Sequence, residues 1–296
     1  MATTTREKEI YTATLVGSVT NFVLMAFKLV AGILGNSAAM IADAVHSISD
    51  FATDLVVLLF VRMSSKPEDK DHASGHGKYE TLATAIIGVA LIFVGIGIFW
   101  GGVVAIWDLC HGIMPPEPRR IALIAAVVSV VLKEALYHYT ARVGRKNNSP
   151  AVMANAWHHR SDAISSVCTM LGIGGAILLG GSWRILDPIA SIAVSLLIVQ
   201  VGIGLVVPSV HELVEHSLPE SIESRIIEIV ENTDQVCDAH SLRTRRIGHV
   251  SAVDLHVRMD GNMSVYESHA ITDKIESQLR DLLGVCILNI HVEPIK

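Results

Sequence analysis

Six stretches of this chain are long and apolar enough to cross a lipid bilayer, and no other feature restricts its fold so tightly. A membrane-spanning helix needs roughly 20 mostly apolar residues. The stretches fall near residues 10–34, 37–62, 81–107, 120–143, 150–179 and 185–208. With no water to satisfy backbone N–H and C=O groups in hydrocarbon, such segments must be helices. Only Leu34-Gly35-Asn36-Ser37 separates the first two, which predicts a tight helical hairpin. Composition agrees: 51% of the 296 residues are hydrophobic and 18% are charged, against about 25% charged in soluble domains. The opening MATTTREKE leads into the first stretch without a small-residue cleavage pattern, so no cleavable signal peptide is expected. Four scattered cysteines with no CxxC pair read as reduced thiols rather than a disulfide framework.

Past Pro208 the periodicity changes. Residues 219–232 read as an amphipathic helix begun by proline, 240–247 and 251–259 as strands around Gly248-His249, 265–283 as a second helix and 285–293 as a third strand. The expected architecture is an α-helical membrane protein: six transmembrane helices in 1–208 and a ferredoxin-like α-β-β-α-β domain in 209–296. This tail holds 15 acidic and 8 basic residues, a balance of −7, whereas the front holds 14 and 15, a balance of +1. An acidic tail repels phosphates, which argues against a nucleic-acid partner and favours cations. Arg62, Lys66, Lys70 and Lys78 lie between spans two and three, and Arg142, Arg145 and Lys146 between spans four and five. The opposite loops hold only Arg119, Arg120 and Arg184. The positive-inside rule therefore places both termini and the acidic tail of this multi-pass protein in the cytoplasm; the plasma (inner) membrane is the expected location, which the rule itself does not fix.

Spans two and five begin with polar halves, IADAVHSISDFATD and MANAWHHRSDAISS. Ionisable groups at membrane depth are rare and face the bundle interior. His46 and Asp50 are four residues apart, and His158 and Asp162 repeat the spacing. Residues at i and i+4 share a helix face. Two such faces offer two imidazoles and two carboxylates, enough for a tetrahedral Zn²⁺ site with the ionic charge neutralised. The bland alternative is interhelical hydrogen bonding. His159 and Arg160 lie on other faces, as packing or anchoring groups. Lys28, Lys133 and Glu134 read as paired structural charges. Asp54, a turn beyond Asp50, pairs with one of these or lines a water cavity.

Asp69, His72 and His76 sit in a glycine-containing loop able to fold around an ion, or to be merely solvated. In the tail, Ile287, Asn289, His291 and Glu293 share one strand face, and Asp254, His256 and Arg258 another. His240 near a strand start and His269 in the second helix can join them. Each histidine alone reads as a surface residue. Together with Glu293 they read as metal ligands.

HSISD, DHASGHGKYE, AWHHRSD, HSLRTRRIG and the His-x-Glu-Pro terminus together resemble the cation diffusion facilitator family over essentially the whole chain, most nearly its bacterial zinc/proton antiporters. The resemblance implies a homodimer that exchanges cytoplasmic Zn²⁺, or a similar divalent ion, for protons. It also implies three metal sites: a transport site at His46, Asp50, His158 and Asp162; a loop site at Asp69, His72 and His76; and a binuclear tail site drawing on His240, His256, His269, His291 and Glu293. Lys78 is expected to pair with Glu215 or Glu212. Some bacterial members carry Asp where His46 stands and accept a broader set of metals, and some carry Asp where Glu293 stands. No enzymatic activity is expected: an intramembrane metalloenzyme would need an HExxH-type motif, and HELVEH at 211–216 misses the spacing. A membrane metal sensor that moves no ions carries the same ligands and stays open at this level.

Overall fold

The computed structural model describes residues 5–64, 66, 69–73, 75–114, 116–147, 149–248 and 250–295. Within them run α1 (Thr5–Leu34), α2 (Ala38–Ser64), α3 (Lys78–Cys110), α4 (Arg120–Lys146), α5 (Pro150–Leu179) and α6 (Leu186–Leu213). The tail follows as α7 (Glu220–Glu231), β1 (Asp238–Ile247), β2 (Val250–Asp260), α8 (Val265–Leu283) and β3 (Cys286–Ile295). This is the order expected from sequence. His249 and the side chain of Asp54 lie outside the described residues. Among the described residues, five helices are long and apolar enough to cross a membrane by length and composition. The exception, α2, has 27 residues and carries the polar half that sequence singled out. Pro208 does not end α6, which continues to Leu213, with Ser209 Oγ donating to Leu205 O at 2.7 Å.

The chain forms two compact units, Met1–Leu55 with Ile87–Gly204, and Val56–Ile86 with Leu205–Lys296. In the first unit the helices meet through small residues. Ala31, Ala39, Met40, Ala122, Ala125, Ala126, Ile173 and Ala190 form a buried core. A Cβ placed on Gly172 would lie 2.4 Å from that of Ala190, so α5 and α6 approach closely only because glycine is there. The large apolar side chains point the other way: Phe93, Trp100, Ile164 and Leu178 are all highly exposed, a surface that suits lipid.

Gly35 and Asn36 turn α1 back into α2, and Asn36 takes a positive φ of 48°. The start of α2 is held by Asp187 at the start of α6. Ser37 Oγ donates to Asp187 Oδ1 at 2.5 Å, and the Ala38 N–H donates to Asp187 Oδ2 at 2.8 Å. A carboxylate here satisfies open N–H groups and complements the helix dipole. Farther along, Lys28 Nζ of α1 lies 2.9 Å from Asp43 Oδ2 of α2, both side chains fully buried. Ser166 Oγ of α5 donates to the same carboxylate at 3.1 Å.

In the second unit, β1 pairs antiparallel with β2, and β2 pairs parallel with β3 through the α8 crossover. Ile226, Val230, Val253, Leu255, Val257, Met259, Ile275 and Leu279 make a separate buried core. Ser264 and Glu267 close a reciprocal capping box on α8. Gly248 turns β1 into β2 with φ at 62°.

Candidate metal centres

Helix periodicity places His46 and Asp50 on one face of α2 and His158 and Asp162 on one face of α5, and the bundle turns these faces toward each other. Ligand atoms of His46, Asp50 and Asp162 all lie within 4.8 Å of one another. His158 stands at the edge: its Nε2 is 3.8 Å from Asp162 Oδ2, with the side chain half exposed. His46 Nδ1 is buried and has no hydrogen-bond partner among the described residues. A buried ring nitrogen without a partner is costly for a structural histidine and is what a cation ligand requires. The donor set fits a divalent transition metal.

One neighbour was not foreseen in its role. Lys133, expected only as a paired structural charge, reaches from α4 to place Nζ 2.5 Å from Asp162 Oδ2, both groups buried. Lys28 pairs with Asp43, as noted, and Glu134 Oε1 lies 3.3 Å from His138 Nε2. His159 is fully buried, with both ring nitrogens unpartnered among the described residues, and faces α1, where a Cβ on Gly17 would come within 3.2 Å of Nε2. Arg160 lies over the Tyr137 ring at 4.6 Å. Arg160 thus stacks on an aromatic ring, as a packing group would, whereas packing alone does not account for the two unpartnered ring nitrogens of His159.

The second unit carries two further clusters. Asp69, His72 and His76 present ligand atoms within 4.8 Å of one another. Asp69 Oδ1 accepts from the N–H groups of His72 at 2.8 Å and Asp71 at 3.0 Å. Those backbone bonds, His72's first, hold its carboxyl below the usual range, so it stays an anionic ligand in mild acid. Gly75, at φ 79°, lets the loop close, and the Nδ1 atoms of His72 and His76 are buried without a hydrogen bond among the described residues. His72 Nδ1 does lie 3.4 Å from Asp69 Oδ1, but out of line for one. Beside them is a cavity of about 250 Å³ whose lining includes His72, His76, Tyr79, Glu215 and Arg245.

On the sheet, register brings His240, His256 and His291 into one row across β1, β2 and β3. A row of three rings could not be read from alternation alone. His240, His256 and Glu293 converge within 4.8 Å. His291 adjoins them, its ring 4.7 Å from that of His256. The hydrogen bond from His256, first, keeps the Glu293 carboxyl below its ordinary range. His269 is not brought in: it is exposed on α8 with Nε2 3.7 Å from Asp273 Oδ1.

Lys78 Nζ lies 3.1 Å from Glu215 Oε1, the pairing expected from sequence, while Glu212 Oε1 accepts from Thr81 Oγ1 at 2.6 Å and from the Gly248 N–H at 2.7 Å. The hydrogen bond from Lys78 is the main reason the Glu215 carboxyl titrates low. A depressed carboxylate contributes stability above its unfolded pKa and loses it as pH falls through the folded value. Lys78→Met should therefore return Glu215 to the ordinary range and remove that acid dependence. Carboxyl NMR shifts against pH check this.

These features define a class, a multi-pass helical membrane protein that gathers cation ligands inside its bundle and on a separate α-β domain; the family its sequence matches is one of divalent-metal transporters, not enzymes. Residues 14–214 match the cation efflux transmembrane domain and residues 218–295 the cytoplasmic domain of cation efflux proteins. The chain belongs to the cation efflux, or cation diffusion facilitator, family. It is 35% identical to the manganese efflux system protein MneP of Bacillus subtilis (strain 168), covering 95% of this chain and 94% of that protein. Metal tolerance protein C1 of Arabidopsis thaliana is 36% identical, over 92% of this chain and 59% of that protein. Magnetosome protein MamB of Magnetospira sp. (strain QH-2) is 31% identical, over 91% and 90%.

Proposed function

We propose that this protein exports a divalent transition metal from the cytoplasm in exchange for protons, through a site formed by His46, Asp50, His158 and Asp162. The observation that carries this reading is the convergence of His46, Asp50 and Asp162 within 4.8 Å, with His158 next to Asp162. Imidazole ligates only when neutral, so metal entry displaces protons and proton entry expels metal. Two imidazoles and two carboxylates suit Zn²⁺ and leave the ion with its ligands electrically neutral. Mn²⁺ is the second cargo to test, because a relative similar along nearly its whole length is named for manganese efflux. Both termini and the acidic domain lie in the cytoplasm, and the working unit is a homodimer. Purified protein in vesicles, with an imposed pH gradient and Zn²⁺ or Mn²⁺ outside, should accumulate metal and move protons the opposite way. Metal uptake insensitive to the gradient would rule out antiport.

Selectivity gives a sharper test. His46→Asp makes the site three carboxylates and one imidazole, harder and net negative around a divalent ion. The ratio of Cd²⁺ or Mn²⁺ flux to Zn²⁺ flux should rise, and the pH dependence should move as one imidazole is lost. An unchanged ratio in matched vesicles would mean that His46 does not touch the ion.

The loop and sheet clusters hold metal as regulatory or structural sites. In the loop the buried Nδ1 atoms of His72 and His76, without a hydrogen bond among the described residues, fit this, and on the sheet the convergence of His240, His256 and Glu293 does, where bound metal would cross-link the strands. Segment 209–296, with its own core, should bind more than one Zn²⁺ per chain. At a free ion concentration 100 times Kd, each site adds about 2.7 kcal/mol. Thermal unfolding with and without Zn²⁺ measures the gain, and His256→Ala should remove much of it.

A further inference from the structure

We propose that the ammonium of Lys133 is a tethered stand-in for the transported ion, occupying the Asp162 carboxylate when no metal is bound and competing with metal for it. This rests on the assignment of Asp162 to the transport site. Lys133 projects from α4 well inside the span, and its Nζ is 2.5 Å from Asp162 Oδ2, with 3% and 7% of the two side chains exposed. The same oxygen is the one 3.8 Å from His158 Nε2. One carboxylate oxygen therefore faces both the imidazole expected to hold the metal and a cation supplied by the protein.

Charge makes the relation competitive. Asp50 and Asp162 lie within ligand distance of each other in the bundle, where two uncompensated anions would repel strongly. With Lys133 present, the metal-free site carries a net −1. A bound divalent ion takes it to +1. Without the lysine the two states would be −2 and neutral, which favours holding the metal. The lysine therefore lowers metal affinity, gives Asp162 a partner during the metal-free part of the cycle, and speeds release. Lys133 must yield or share Asp162 Oδ2 as metal enters.

The test is the metal dependence of flux in vesicles containing the full-length protein, with Zn²⁺ and Mn²⁺ as probes. Lys133→Met keeps the length and removes the charge. The half-saturating metal concentration and the maximal rate should both fall, each about tenfold, the pattern of tighter ground-state binding with slower release. A lysine serving only to hold helices together would leave the half-saturating concentration unchanged or raise it, and either result overturns the proposal. If Lys133→Met does not fold, Lys133→Arg decides. A forked guanidinium clamps a carboxylate with two parallel bonds, so half-saturation should rise about tenfold. No rise overturns the proposal. Asp162→Ala separates this from the site assignment. Retained flux there removes Asp162 from the transport path altogether. Lost flux there, with unchanged half-saturation in Lys133→Met, removes only the role given to Lys133.

Discussion

Asp162→Ala should abolish metal flux and also destabilise the protein, whereas Asp50→Ala should abolish flux with a far smaller stability cost. Each substitution removes one of the two carboxylates that would neutralise a bound divalent ion. Loss of even an outer-shell partner commonly costs 10–100-fold in metal affinity, so losing a ligand should cost at least about a hundredfold in flux. The stability effects differ because of Lys133. Its Nζ lies 2.5 Å from Asp162 Oδ2 and both groups are buried, so Asp162→Ala strands a charge inside the bundle. Breaking a buried pair by removing one partner costs about 3–5 kcal/mol. Lys133→Met combined with Asp162→Ala should recover most of that stability and none of the flux. Thermal unfolding of the detergent-solubilised dimer, run beside vesicle uptake, separates the effects. Equal stability losses in Asp50→Ala and Asp162→Ala would show that Lys133 contributes no special coupling.

The second large effect is expected at Asp43, which takes no part in the proposed chemistry. Among the described residues, Asp43→Ala leaves the fully buried Lys28 ammonium with only Ser47 Oγ at 3.2 Å and Ser166 Oγ at 3.0 Å, neither able to neutralise it. The loss should again be about 3–5 kcal/mol. Lys28→Met in the same chain should restore much of it, because replacing both partners by apolar groups removes the uncompensated charge. A double-mutant cycle reads the coupling directly. Coupling near zero would mean that water or neighbouring hydroxyls carry the compensation. Flux in the double variant should persist, which distinguishes this pair from Lys133 and Asp162.

Most of the architecture was legible because the bilayer and the two-residue strand period each leave strong marks. Length and apolarity located the spans, and alternation in 287–293 placed His291 and Glu293 on one face. What stayed hidden depends on how separate elements meet. The place of Lys133 within a span implies a paired charge but not that α5 brings Asp162 to it. Strand alternation shows that His256 and His291 are polar-face residues, and of His240 only its place near a strand start was readable. Only the register, His240 opposite His256 and His256 opposite His291, makes them a row. His269 illustrates the converse: its residue type was right for the cluster, but its place on α8 turns it toward Asp273. Pro208 misled about where α6 ends because a proline can be carried within a long helix whose other bonds remain intact.

The clamp of Asp187 on Ser37 and Ala38 makes the start of α2 a fulcrum. At 1.5 Å of rise per residue, His46 lies about 12 Å and Asp50 about 18 Å along the helix from Ala38. A tilt of only about 5° about that point would sweep the two groups sideways by about 1.0 and 1.6 Å. Metal–ligand bonds tolerate a few tenths of an ångström. Because Lys28 and Ser166 also grip α2 at Asp43, such a rotation would have to carry that buried pair along, but its size would suffice to make or break the proposed coordination at His46 and Asp50.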